Sequence, residues 1–117
     1  MGAVIWVDDE ALLDPVTAVS GSGPAYVFLL AECLEEAGIA AGLPHDMAAQ
    51  LARATVAGAG ELLRRSDLEP AQLRKNVTSP KGTTAAALDV LMNKDALKDL
   101  FTRAVAAAAK RSRELSS

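Results

Sequence analysis

The chain is short of aromatic rings, cysteine, histidine and basic charge, and each shortage removes a class of answer. Of 117 residues only four are aromatic: Trp6, Tyr26, Phe28 and Phe101. Half of the residues are nevertheless hydrophobic. The core must therefore be made from Ala, Leu and Val, which suit close helix–helix packing better than a ligand-enclosing barrel. The single cysteine, Cys33, excludes an internal disulfide framework and a Cys-rich zinc site. It falls in an apolar helical run and is expected to be a buried thiol. The single histidine, His45, has no partner at a ligand spacing and reads as structural within Leu43-Pro44-His45-Asp46, so no metal is expected. Twelve Lys and Arg stand against 15 Asp and Glu, a net charge of −3, which argues against nucleic acid as a partner. Lys110, Arg111 and Arg113 gather where a helix ends, and there they complement the helix dipole. No stretch of about 18 uncharged apolar residues and no signal peptide are present, so no membrane span is expected and the cytoplasm is the default location.

What is present reads as one helical domain. Ala3-Val4-Ile5-Trp6-Val7, closed by Asp8-Asp9-Glu10, suggests one short strand or extended arm with no partner strand elsewhere. Pro24 suits the first turn of a helix that runs to a Gly42-Leu43-Pro44 stop. Asp46 is expected to cap a second helix, from about Met47 to Arg65. The middle of that helix, Leu51 to Gly60, is small and apolar on nearly every face except at Arg53. Such a helix has to be surrounded by other helices. Gly58 and Gly60 are expected to let another backbone approach. Pro70 starts a short helical piece through Leu73, and Asn76 to Pro80 reads as a non-helical approach, since a residue before proline avoids the α region. Thr83 or Thr84 would cap a helix through Leu88 and Leu91. Asp95 would cap the last helix, from Ala96 to about Leu115, with Leu97, Leu100, Phe101, Ala104, Val105 and Ala108 on one stripe.

Two segments stand out within this all-α plan: Ser20-Gly21-Ser22-Gly23-Pro24-Ala25-Tyr26 and Ser79-Pro80-Lys81-Gly82-Thr83-Thr84. Each leads into an apolar helix, and a helix start presents unpaired N–H groups beside the positive end of the dipole. Such an end can hold a carboxylate or phosphate. The nearly all-apolar second helix and the Leu97 stripe together are more than a monomer of this size can bury, so a two-fold dimer exchanging helices is expected.

The stretch Asp14 to Tyr26 closely resembles the segment that opens the C-terminal domain of pyrroline-5-carboxylate reductases. Leu73-Arg74-Lys75-Asn76-Val77-Thr78-Ser79-Pro80-Lys81-Gly82-Thr83-Thr84, with Ala87, Leu88 and Leu91 following, resembles that family's signature. The resemblance implies an all-α dimerisation domain of the 6-phosphogluconate dehydrogenase C-terminal-like type, spanning residues 14–117. Residues 1–13 would then be a linker or last strand from an absent Rossmann domain. It implies reduction of 1-pyrroline-5-carboxylate to L-proline with NADPH or NADH, the coenzyme being bound mainly by the absent half. It also implies a homodimer of interleaved helices, and further assembly such as a decamer. By the same resemblance, Ser79, Lys81, Gly82, Thr83 and Thr84 would bind the substrate carboxylate, and the Thr84 hydroxyl would meet the ring nitrogen as the catalytic group. Asn76, Val77, Ser22 and Gly23 would border the nicotinamide.

Two departures from the family stand in the chain. Gly21-Ser22-Gly23 lacks the third glycine of a dinucleotide fingerprint, so this chain alone is not expected to turn over. Lys81 stands where the family usually carries glycine, and its effect, strain or added attraction for the carboxylate, is open. Two alternatives remain. One is the helical domain of another β-hydroxyacid-dehydrogenase-like oxidoreductase, which often needs a catalytic Lys on a helix. The other is a helical dimerisation module without catalysis.

Overall fold

Asp9 starts the helical path, its carboxylate accepting the Ala11 N–H at 2.9 Å to open one 3₁₀ turn, Glu10–Leu12. The computed structural model describes residues 9–117, so the expected strand Ala3–Val7 lies outside the described residues. From Leu13 the chain continues as α1 (Leu13–Val16), a π turn (Thr17–Gly21) and α2 (Gly23–Ala40). The Ser20–Gly23 segment is therefore not the free helix start expected from its glycines. The path is helical throughout, and the Ser22 N–H is used by the Thr17 carbonyl at 2.9 Å. Pro24 explains the widening: it has no N–H for the Ser20 carbonyl and its ring crowds that group.

Helix α2 ends as the sequence suggests. Gly42 takes φ 112°, and the Leu43 N–H reaches the Gly38 carbonyl while the Gly42 N–H reaches Ile39, both at 3.0 Å. This reciprocal pair closes a helix around a left-handed residue that only glycine adopts freely. Helix α3 (His45–Arg65) begins earlier than expected: Pro44 holds the cap position and makes no side-chain cap bond. Asp46 lies in the first turn instead, where its charge favours the dipole without capping. Helix α4 (Pro70–Asn76) runs past Leu73, and α5 (Thr83–Met92) is followed by a 3₁₀ turn, Asn93–Asp95. Helix α6 spans Ala96–Ser116. Asp95 stands at its N-cap but in the left-handed region, and its carboxylate makes no cap bond. Among the described residues there is no strand.

Two joints hold these elements. In the α2–α3 hairpin, Ala48 and Ala52 are 2% and 4% exposed, and a Cβ on Gly38 would lie 3.2 Å from Leu43 and 3.5 Å from Ala48. At the second joint α6 packs on α1 and the π turn. Ala18 is fully buried there and Ala109 nearly so. The Ser112 hydroxyl donates to the Asp14 carboxylate at 2.6 Å, and Tyr26 meets Phe101 edge-on at 6.2 Å. These four alanines are the only buried apolar residues among those described.

The rest of the apolar surface is uncovered. The chain exposes 9583 Å², where a folded monomer of 12.1 kDa exposes roughly 6000 Å². Its radius of gyration is 16.6 Å, against roughly 13 Å for a compact domain of this length. Phe28, Val90, Leu100 and Leu51 all stand more than half or half exposed. Cys33, expected to be buried, is exposed, with no cover from the described residues. Nothing among the described residues lies within 4 Å of a Cβ built on Gly58 or Gly60 either, so no described backbone uses the approach they permit.

Candidate functional site

The Ser79–Thr84 turn is built from both sides. On its upstream side the end of α4 is tied off by the Thr78 hydroxyl, which donates to the Arg74 carbonyl at 2.6 Å. The Val77 and Thr78 N–H groups close on Arg74 and Lys75. Ser79 and Pro80 then turn the chain, and the Gly82 N–H donates back to the Ser79 carbonyl at 3.1 Å. Pro80 and Lys81 occupy the two central positions of this turn, and Lys81 has φ 61°. That is the left-handed geometry of the second central position in a type II turn, where glycine is the ordinary occupant. A Cβ on Gly82 would come within 3.2 Å of the Ser79 carbonyl oxygen, so a side chain there would be crowded.

Helix α5 starts immediately afterwards with Gly82 as its N-cap, and no side chain caps it. The expectation that Thr83 or Thr84 caps this helix is corrected: both lie inside it, one and two residues beyond the cap position. The first bond into the helix runs from the Ala86 N–H to the Gly82 carbonyl. The N–H groups of Thr83, Thr84 and Ala85 therefore have no partner among the described residues. Three convergent donors at the positive end of a ten-residue helix suit one carboxylate. Gly82 does not join them, since its N–H is held within the turn. Ser79 and Lys81 are exposed and Thr84 is half-buried. Lys81 takes part in none of the ion pairs among the described residues. Ala85 is a donor that the sequence reading missed; the position of the helix cap, not any residue type, reveals it.

The residues expected near a coenzyme are more scattered. Asn76 accepts the Gln72 side-chain N–H at 2.8 Å at the end of α4, and Val77 beside it is 67% exposed. Ser22 and Gly23 are half-buried at the π turn, on a different element. These residues do not fit a dinucleotide site: no strand precedes Gly21-Ser22-Gly23 among the described residues, and the Ser22 N–H is already bonded. Gly23 also lines a surface groove of about 450 Å³ between α2 and α6, and another of about 590 Å³ lies between α2 and α3; both are mainly apolar and open. Among the described residues no cluster of His, Cys, Asp or Glu could hold a metal, and no helix is long and apolar enough to cross a membrane.

Comparison with known proteins bears on this geometry. The sequence model of pyrroline-5-carboxylate reductase dimerisation matches residues 10–115, from the first 3₁₀ turn to all but the last residue of α6. The chain belongs to that family. A pyrroline-5-carboxylate reductase of Pisum sativum is 49% identical over 112 residues, covering 96% of this chain and 41% of the relative. One from Pseudomonas aeruginosa is 46% identical over 115 residues, covering 98% and 42%. A solved pyrroline-5-carboxylate reductase from Coxiella burnetii superposes with a TM-score of 0.93 at 44% identity, over 99% of this chain and 43% of that one. A pyrroline carboxylate reductase from Plasmodium falciparum, solved with NADP bound, superposes at 0.87 with 37% identity, over 98% and 46%. The chain thus spans less than half the length of these relatives. The family accounts for the uncovered apolar surface, because a dimerisation domain leaves its partner-facing side bare until it associates.

Proposed function

We propose that the chain is the dimerising, substrate-holding part of a pyrroline-5-carboxylate reductase, with residues 14–117 as the working domain and residues 1–13 as a connection. The observation that carries this reading is the uncapped start of α5. Three free N–H groups open there, on the residues directly after the Ser79-Pro80-Lys81-Gly82 turn. A small cyclic imine carrying one carboxylate presents the complementary anion.

Reduction of the ring C=N bond takes a hydride at carbon and a proton at nitrogen. A nicotinamide coenzyme, NADPH or NADH, would supply the hydride from a domain outside this chain. What this chain contributes is position. The α5 donors fix the carboxylate, Lys81 adds attraction, and the Thr84 hydroxyl lies one helical residue further on to meet the ring nitrogen. Holding a reactant in near-attack geometry is a large part of such a rate enhancement. Ser22 and Gly23 would border the nicotinamide, with Asn76 and Val77, exposed where α4 runs into the turn, completing that edge from the partner copy. The bare apolar surface supports a homodimer of interleaved helices, and its extent leaves area for further assembly such as a decamer.

The test is an assay of imine-dependent NADPH oxidation with the chain joined to a coenzyme-binding domain. Activity on pyrroline-5-carboxylate, reduced at least tenfold by Thr84→Ala, supports the proposal. Turnover of a hydroxy acid in its place would favour a β-hydroxyacid-dehydrogenase-like enzyme. No turnover by a dimer that is otherwise intact would leave a dimerisation module.

A further inference from the structure

The π turn at Thr17–Gly21 has a property that the carboxylate site does not explain. In an α-helix the Ser22 N–H would bond the Ala18 carbonyl, four residues back. Here it goes one residue further, to Thr17, at 2.9 Å. The Ala18 carbonyl is thereby released, inside the one residue of the described chain that is fully buried. A polar group in that position needs a partner. The Tyr26 hydroxyl supplies it, donating to the Ala18 oxygen at 2.7 Å from the first turn of α2. The same ring packs edge-on against Phe101 of α6. On the other side of the turn, α1 is tied to α6 through the Ser112 hydroxyl and the Asp14 carboxylate.

We infer that the π turn is a two-register joint, held in its wide register by Tyr26 from one side and by Ser112 from the other. The Ala18 carbonyl has two possible donors, the Tyr26 hydroxyl and the Ser22 N–H, and the choice between them decides the register. Taking the Ser22 N–H would convert the turn to ordinary α-helix. Everything on the N-terminal side would then rotate about α2 by roughly 100° and advance by roughly 1.5 Å, the step of one helical residue. Asp14 would leave Ser112, and the direction in which Asp9 leaves the helices would change. The packing of the π turn, with its buried Ala18, on α6 opposes that rotation, so the wide register is the resting one. Pro24 acts in the same direction, since in the α register its ring would crowd the Ser20 carbonyl.

The experiment is NMR on the full chain, with through-hydrogen-bond couplings identifying the acceptor of the Ser22 N–H. In the parent the coupling connects Ser22 to Thr17. In Tyr26→Phe, which keeps the ring contact and removes only the hydroxyl, the coupling is expected to move to Ala18. Contacts between Asp14 and Ser112 should be lost, and exchange at the Ser22 amide should change by about tenfold, the scale of one hydrogen bond. Amides of α3 should not change. Ser112→Ala is the second variant: it loosens α1 alone, and combined with Tyr26→Phe it should complete the shift. Retention of the Ser22–Thr17 coupling in both the single and double variants overturns the inference. A uniform loss of protection across α2, α3 and α6 overturns it too, because Tyr26 would then be only a packing residue. Neither result depends on whether the chain binds a carboxylate.

Discussion

Gly42 and Lys81 occupy the same unusual region of backbone space at two corners of one chain. At the α2–α3 corner glycine takes φ 112° and closes a helix end in which the Ala37, Gly38 and Ile39 carbonyls are bonded. At the Ser79–Thr84 corner lysine takes φ 61° and leads into a helix start whose donors are left open. The first corner lies beside the buried Ala48 and is a packing device. The second has no fully buried residue and spends its geometry on presenting N–H groups. Backbone strain alone does not mark the site, because Lys94 and Asp95 also have positive φ in the connection between α5 and α6. What separates Lys81 from them is the helix start that follows: α5 carries no acidic residue in its first turn, whereas α6 carries Asp99 there.

The contrast can be broken at its packed side with the largest effect. Ala48→Leu forces a larger side chain into the α2–α3 contact and should destabilise the chain by about 2–3 kcal/mol in denaturant titrations. Gly42→Ala should cost about 1–2 kcal/mol, because a Cβ is disfavoured in the left-handed region, although the surrounding space is open. Lys81→Gly goes the other way. It should raise stability by about 1 kcal/mol or less, the relief of strain being partly offset by a more flexible unfolded chain. Lys94→Gly should give a similar gain. Only Lys81→Gly should also weaken carboxylate binding, and that loss should shrink as salt is added.

The smallest effect is at the exposed end of α3. Glu61 bonds Arg64 at 2.6 Å and Arg65 at 2.8 Å, and these contacts, Arg64 first, hold its carboxyl below the usual value of 4.5. A lowered carboxylate contributes stability that is present above its unfolded pKa and is lost as pH falls through the folded one. Glu61→Gln should therefore flatten only the acid limb of a stability–pH curve, slightly, and salt should remove most of the difference.

Much of this was legible from residue types. Pro24 in a first turn, Gly42 at a helix end and Ala96 at the start of α6 are local signals, and the structure follows them. The all-α plan follows from Ala and Leu at helical spacing without aromatic rings. The misreadings share a cause, which is that local chemistry was overridden by a neighbouring element. Ser20–Gly23 reads as an open turn, but α6 packs on it and Tyr26 supplies the donor that stabilises a π turn. Asp46 reads as a cap, but Pro44 already fixes the extended residue ahead of α3. Thr83 and Thr84 read as caps, but the Gly82 turn takes that position and leaves them inside the helix. Cys33 reads as core, but none of the described residues covers it. At the site, the order of residues pointed to the turn, but which amides are free depended on where the helix begins.

The account rests on the start of α5 being a carboxylate site, and a titration of the chain with L-proline, followed by two-dimensional amide NMR, tests it most directly. Saturable shifts are predicted at Lys81, Thr83, Thr84 and Ala85, with Gly82 moving least because its N–H stays with Ser79. Thr84→Ala should weaken them. Amides that do not move at high proline, or shifts that fall instead along α2 and α6, would contradict the account.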